Sequence, residues 1–404
     1  MQYRQWAARA VLAVAGVAGA QVAQAAQVVV GQVAPLSGLE AAQGRAYSLG
    51  MQLYFNQVNK AGGVNGHSFT LARRDDNGRP EDTVNATRAM LAQDKPMVLA
   101  GYFGGPNIAG LLSSGLLERE RVALVGYRTT ELRPQNAHLY NVRATLGDEL
   151  HKLTEHLATI GITRLGLFYE EGPGAQAMLQ AATEASAKAR ATIETRASYP
   201  AGTARAQPAV AQFLKNPPQA ILMVASGAAA AAFIEQYRAE GGTAQLFAHS
   251  GADIEQLSKR LSEEQMQGVA IAQVTPNPYR ISSRVSKEFN DIIAKTPALE
   301  VPASYSMIEG FITAKVIVEA VRRQGARPTR EGMQRTLDAM ESYDAGGYLV
   351  GFRPDQHNGS RFVELSIVSG AGRIRQKRPT TAAPARGRRC TAQLVLSWTG
   401  LRGA

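Results

Sequence analysis

The chain has almost no cysteine: of 404 residues only Cys390, near the carboxyl end, is one. An internal disulfide is thereby excluded, and stability must come from apolar cores, which a chain of this length can build more than once. Histidine is also scarce. There are six, with no HExxH or comparable spacing, so a Cys/His zinc cluster is not expected and no cofactor is called for. Phosphate-cradling motifs are missing, since neither GxGxxG nor GxxxxGK[ST] occurs, and no GxSxG marks a nucleophile elbow. No apolar run reaches the roughly 20 residues needed to cross a bilayer.

Acids are missing from both ends. Arg4 and Arg9 open the chain, and Lys377, Arg378, Arg386, Arg388, Arg389 and Arg402 close it; together these carry most of the formal net charge of +11. A nucleic-acid partner would be met by a basic patch on a folded domain, so this distribution argues against one. At the front, the arginines precede an apolar stretch from Ala10 to Ala20 and then Ala23-Gln24-Ala25. Basic start, short apolar middle and small-x-small exit are the layout of a secretory signal, too short to anchor in a membrane. Residues 1–25 are read as that signal, with cleavage near Ala25/Ala26 and a product that works outside the cytoplasm. Residues 376–404 are rich in Arg, Ala, Thr and Pro and show no helix or strand period. They are expected to be a disordered tail or foreign to the fold.

Between these ends, strands alternate with helices. Val28 to Ala34 is an apolar strand. Tyr47, Met51, Tyr54 and Val58 then share one helix face, and Gly62-Gly63 ends that helix. Phe69–Arg73, Met97–Gly101 and Val122–Gly126 read as further strands, with helices from Pro80 and over Ile108–Glu118. A second round runs from a helix at Leu150 to a strand ending at His249. After Val269 the pattern loosens into helices at Val285–Ala294 and Tyr305–Arg323 and a terminal strand pair, Gly346–Phe352 with Phe362–Val368. This alternation predicts an α/β fold with two doubly wound parallel sheets covered on both faces.

In such sheets ligands bind beyond the carboxyl ends of the strands. That rule selects the loops Pro35–Gly38, Tyr102–Asn107, Tyr127–Thr130, Glu170–Gly174, Ser226-Gly227 and Ser250-Gly251. Ser37, Thr129, Thr130, Ser226 and Ser250 offer hydroxyls, and Gly38, Gly104, Gly105 and Gly227 allow close backbone approach. Pro106 sits in the second of these loops, and Tyr102 and Tyr127 could wall a ligand. The adjacent acids Asp75-Asp76 and Glu170-Glu171 point to opposite strand faces and read as solvated strand ends rather than acid/base couples. His249 beside Ser250 leaves an exported hydrolase as a minor alternative, though no orienting acid has a known spacing.

The run Gly31-Gln-Val-Ala-Pro-Leu-Ser-Gly38, then Gly44, Gly50 and Val58-Asn-Lys-Ala-Gly-Gly-Val-Asn-Gly66, resembles the start of the type I periplasmic binding proteins, in their leucine/isoleucine/valine-binding branch. Asp75-Asp76, Pro80, Gly101, Gly161–Phe168 and Tyr305–Val321 continue the resemblance, which covers about residues 27–373. It implies two lobes joined by a three-segment hinge, with crossings near Arg143–Thr145, Gln273–Pro276 and Gly347–Phe352. One lobe would comprise 27–143 plus 274–347, the other 144–273 plus 348–373. It also implies a periplasmic, monomeric receptor that closes on a small organic solute and delivers it to an ABC permease in the inner membrane. A sensor of the same fold coupled to a signalling partner is the alternative. Ser37, Gly38, Gly105 and Thr129 would hold one polar end, and Tyr102, Tyr127 and Tyr305 would wall the body. Glu171 and Ser250 would contact the ligand from the second lobe. Gly105 stands where the branch usually has a serine, Pro173 where it has an aromatic, and Ser250 where it has the acid that meets a ligand ammonium. Glu171 or Glu309 could substitute for that acid.

Overall fold

The computed structural model describes residues 26–129, 136–369 and 373–377. The expected signal, Thr130 and most of the expected tail lie outside these residues.

The amino-terminal apolar run forms β1 (Ala26–Ala34), followed by α1 (Ala41–Lys60), β2 (His67–Asp75), α2 (Pro80–Gln93) and β3 (Val98–Phe103). The single helix expected over Ile108–Glu118 is two, α3 (Gly105–Ser113) and α4 (Leu116–Glu120). Gly115 takes φ +62° between them and breaks the run. Then come β4 (Leu124–Arg128) and β5 (Leu139–Tyr140). The five strands form one parallel sheet in the order β2-β1-β3-β4-β5.

The chain next builds a second sheet from α5 (Leu146–Thr159), β6 (Arg164–Glu170), α6 (Ala175–Lys188), β7 (Thr192–Tyr199), α7 (Gln207–Lys215), β8 (Ala220–Val224), α8 (Gly227–Ala239) and β9 (Gln245–Ala248). A 3-10 turn at Ser250–Ala252 leads into α9 (Ile254–Arg260), α10 (Glu263–Met266) and β10 (Ala270–Gln273). The helices α11 (Arg284–Ala294), α12 (Tyr305–Gln324) and α13 (Arg330–Asp338) then return to the first core, followed by a two-strand hairpin, β11 (Tyr343–Asp344) and β12 (Leu349–Val350). Finally β13 (Glu364–Ser369) and β14 (Arg373–Lys377) add antiparallel strands beside β10. The second sheet therefore runs β14-β13-β10-β9-β8-β6-β7 and is mixed at one edge.

The chain thus crosses between lobes three times, which is the type I periplasmic-binding architecture. Three expectations near its end change. Gly346–Phe352 does not pair with Phe362–Val368, because the latter is taken by β10. Tyr348, Val350 and Phe352, assigned above to the second lobe, are buried in the first core, and Phe362 packs there too. Val363 and Leu365 are the first residues back in a second-lobe core. The third crossing therefore lies about ten residues later than Gly347–Phe352. Gln376 and Lys377, read as tail, are in β14.

α12 carries most of the join in the first lobe. It is buried nearly all round, Glu309 and Lys315 included, and α1 lies against it at van der Waals closeness: a Cβ at Gly50 would stand 1.9 Å from the Met307 carbonyl oxygen, and one at Gly310 would stand 2.1 Å from that of Tyr47.

Candidate ligand-binding cleft

The cleft is made by the strand ends. β1, β3 and β4 deliver Pro35, Phe103 and Arg128, while β6, β8 and β9 deliver Glu170, Ser226 and His249. Together they enclose a cavity of about 720 Å³. That volume lies within the roughly 300–1,000 Å³ of small-molecule sites.

The first-lobe wall is held from beneath by Asp75. Its carboxylate accepts the backbone N–H groups of Leu36 at 2.9 Å, Ser37 at 3.3 Å and Asn77 at 2.9 Å. The Ser37 hydroxyl donates to Asn77 at 2.8 Å. Asp76 is not solvated as expected. It is fully buried and accepts Gly78 N–H, the Thr83 hydroxyl and the Asn107 amide at 2.9, 2.8 and 3.2 Å, which seats the first turn of α3. Gly104, at φ +95°, turns the chain into that helix. First-turn N–H groups have no acceptor within their helix, so Gly105 and Asn107 present donors at the cavity wall.

At the back lies a buried charge chain. Arg128 Nε and Nη2 donate to Glu309 at 3.2 and 2.7 Å, and its Nη1 donates to Gln43 at 2.6 Å. Arg143, on the first crossing, pairs with Glu149 at 3.0 Å and Glu309 at 3.6 Å and donates to the Ser250 hydroxyl. Glu149 Oε2 in turn accepts Ser250 N–H at 2.6 Å. Two guanidinium groups are therefore matched by two carboxylates, the pairing that burial demands.

Of the residues proposed from sequence, Ser37, Gly38, Gly104, Gly105, Pro106, Tyr127, Thr129 and Ser226 line the cavity. Four others do not. Tyr102 is fully buried behind β3, with its hydroxyl 3.0 Å from Thr87. Glu171 points outward to Ser198, at 2.8 Å; its neighbour Glu170 faces the cavity. Burial raises the Glu170 carboxyl above its ordinary value, partly offset by Gly202 N–H. Ser250 is consumed by Arg143 and Glu149, and Tyr305 packs against the second-lobe core. Glu309, the substitute acid, is taken up by the arginines. Arg128, Arg143, Gln43, Glu40 and Glu149 were missed. Some of their partners are near in sequence, as in Arg143–Glu149 and Glu40–Gln43, and others far, as in Arg128–Glu309, but no local pattern marks any of them.

The Ser250/His249 alternative fails on geometry. His249 Nδ1 accepts Gly251 N–H at 3.2 Å and Nε2 lies 3.1 Å from the Ala225 carbonyl, so both ring nitrogens are occupied by backbone. Burial, outweighing Glu149, holds the ring below the usual histidine range. The ring is not free to act as a base for Ser250.

A two-lobed α/β molecule with a polar cleft at the strand ends defines a binding-protein class, and the comparisons agree. Residues 27–368 match the model of a periplasmic binding protein family, and the chain belongs to that family. It is similar to a substrate-binding periplasmic protein from Ralstonia solanacearum, with 36% identity and a TM-score of 0.82 over 87% of this chain and 100% of that one. An amino acid binding protein of Pseudomonas aeruginosa is 34% identical over 76 residues, 19% of this chain and 20% of its own. The Leu/Ile/Val-binding protein BraC3 of Rhizobium johnstonii is 31% identical over 122 residues, 30% of this chain and 32% of its own. The chain thus aligns with less than a third of either curated relative. The family is extracytoplasmic and its members bind rather than transform. Among the described residues no helix is long and apolar enough to cross a membrane.

Proposed function

We propose that this chain is the solute receptor of an ABC importer, exported by cleavage near Ala25/Ala26. It takes an amino-acid-like solute or an aromatic acid into the interlobe cleft and closes over it as a monomer. The observation that carries this reading is the cavity itself, shared by the strand ends of both lobes and walled on one side by the first turn of α3. A ligand carboxylate would meet the N–H groups of Gly105 and Asn107 and the hydroxyl of Thr129, with the Ser37 hydroxyl turning from Asn77 to join them. Phe103 and Tyr127 would face its apolar body, and Ser226 and Glu170 its far end. Lobe limits follow the crossings: 27–143 with 274 to about 362, and 144–273 with 363 onward.

Isothermal titration of the exported protein against amino acids and aromatic acids tests this. Binding of at least one carboxylate-bearing solute is expected, weakened roughly tenfold or more by Gly105→Pro, which removes one first-turn donor. Absence of heat with every member of the panel would overturn the reading.

A further inference from the structure

At the edge of the cavity, where Glu40 is one of its lining residues, three carboxyl groups meet as the lobes touch. Glu40, just before α1 in the first lobe, receives the Gln43 amide at 2.6 Å and, across the cleft, the Gln256 amide of α9 at 3.4 Å. It also faces Ala228 N–H and the Ser226 hydroxyl at the start of α8. In the opposite direction, Glu255 of α9 accepts the first N–H of α12, from Tyr305, at 2.9 Å and the Tyr279 hydroxyl at 2.6 Å. Asp253 lies between them and accepts the Ser306 hydroxyl at 3.4 Å. Each lobe therefore offers a carboxyl to the amino-terminal end of a helix in the other. Asp253 holds φ +52° and ψ 95°, an unfavourable backbone for a non-glycine residue, and such strain persists only where surrounding contacts hold it.

We propose that Glu40, Asp253 and Glu255 form a proton-dependent latch that favours the closed arrangement of the lobes. The proposal rests on the hinge-closing reading above and adds a regulator to the same cleft. The groups facing the latch are few. Glu40 meets Asp253 and lies near Tyr199; Asp253 is felt by Arg128; Glu255 meets Asp253 and Tyr279. Oε1 of Glu40 and Oε2 of Glu255 are buried without a hydrogen-bond partner, so a charge on either carboxylate is incompletely compensated while the lobes touch. Burial first, then the Asp253 charge, raises Glu40 from 4.5 to about 7 and Glu255 from 4.5 to about 8. When the cleft opens, water reaches both and they return toward 4.5. The closed form thus binds protons more tightly. Its advantage is complete below about 4.5 and is lost as pH rises through about 7 and 8.

Spin-label distances between Lys60→Cys on α1 and Lys188→Cys on α6, in a Cys390→Ser background, read closure without any ligand from pH 5 to 9. The closed-to-open ratio should fall with rising pH, by up to about tenfold per pH unit for each carboxyl. Glu40→Gln with Glu255→Gln should flatten the profile, and each single change should remove part of the slope. A wild-type ratio independent of pH, or a double variant with the wild-type slope, would overturn the latch. If pH closes the lobes but no amino acid or aromatic acid does, the latch stands and the receptor reading falls. If solutes close the lobes equally at every pH, the reverse holds.

Discussion

Behind the cleft, Glu309 holds two guanidinium groups at once. It is 1% exposed, and its Oε2 serves both Arg128 and Arg143. Removing one partner of a buried pair leaves an uncompensated charge in a low-dielectric surrounding, which costs about 3–5 kcal/mol. Glu309→Gln should therefore lower the urea midpoint by an amount equivalent to that loss. A decrease below about 1 kcal/mol would mean that water reaches the arginines. None of this was legible in sequence, because Arg128 and Glu309 are 181 residues apart and each sits in an ordinary local context. What sequence could locate was the loops. Eight of the twelve residues proposed from loop position and family resemblance line the cavity, because strand ends converge there. It could not say which way each side chain turns. Glu170 and Glu171 trade places on that ground alone, since neighbours on a strand point to opposite faces.

At the scale of elements, legibility followed the strength of the periodic signal. Ala220–Val224 is an unbroken apolar run, and Tyr47, Met51, Tyr54 and Val58 keep strict helical spacing; both patterns arise rarely outside a buried strand and an amphipathic helix. β5 has two residues, and β10 is Ala-Ile-Ala-Gln, so neither carries a pattern long enough to read. Both exist because a neighbouring strand offers an open edge. The α1–α12 contact follows a different rule. Gly50 and Gly310 were visible only as glycines, yet each lets the facing helix backbone come within reach of its Cα. A methyl at Gly50 would sit on the Met307 carbonyl, and backbone cannot yield as a side chain tip can. Gly50→Ala should destabilise the first lobe by about 1–3 kcal/mol or more, read by thermal unfolding. An unchanged melting temperature would show that the two helices can slide apart freely.

The whole molecule turns on three thin crossings, and one side chain touches all of them. The Tyr348 hydroxyl lies 3.0 Å from the Val142 carbonyl on the first crossing and 2.9 Å from the Val274 carbonyl on the second. Its ring packs on Phe362, at 5.6 Å between centroids, where the third crossing leaves the first core. Tyr348 is fully buried, so water cannot stand in for that hydroxyl. A hinge needs segments that bend together rather than separately, and a shared hydrogen-bonding knot couples them without stiffening the lobes on either side. Tyr348→Phe keeps the ring and its packing and removes only the oxygen. It takes away the one proton that the two buried carbonyls share, at a cost of about 1–3 kcal/mol in urea unfolding. It should also loosen the lobes relative to each other, which small-angle scattering would register as a larger radius of gyration and a broader distance distribution at fixed pH. A variant that lost stability but kept the wild-type scattering profile would assign Tyr348 to the core alone and leave the coupling of the crossings to their backbones.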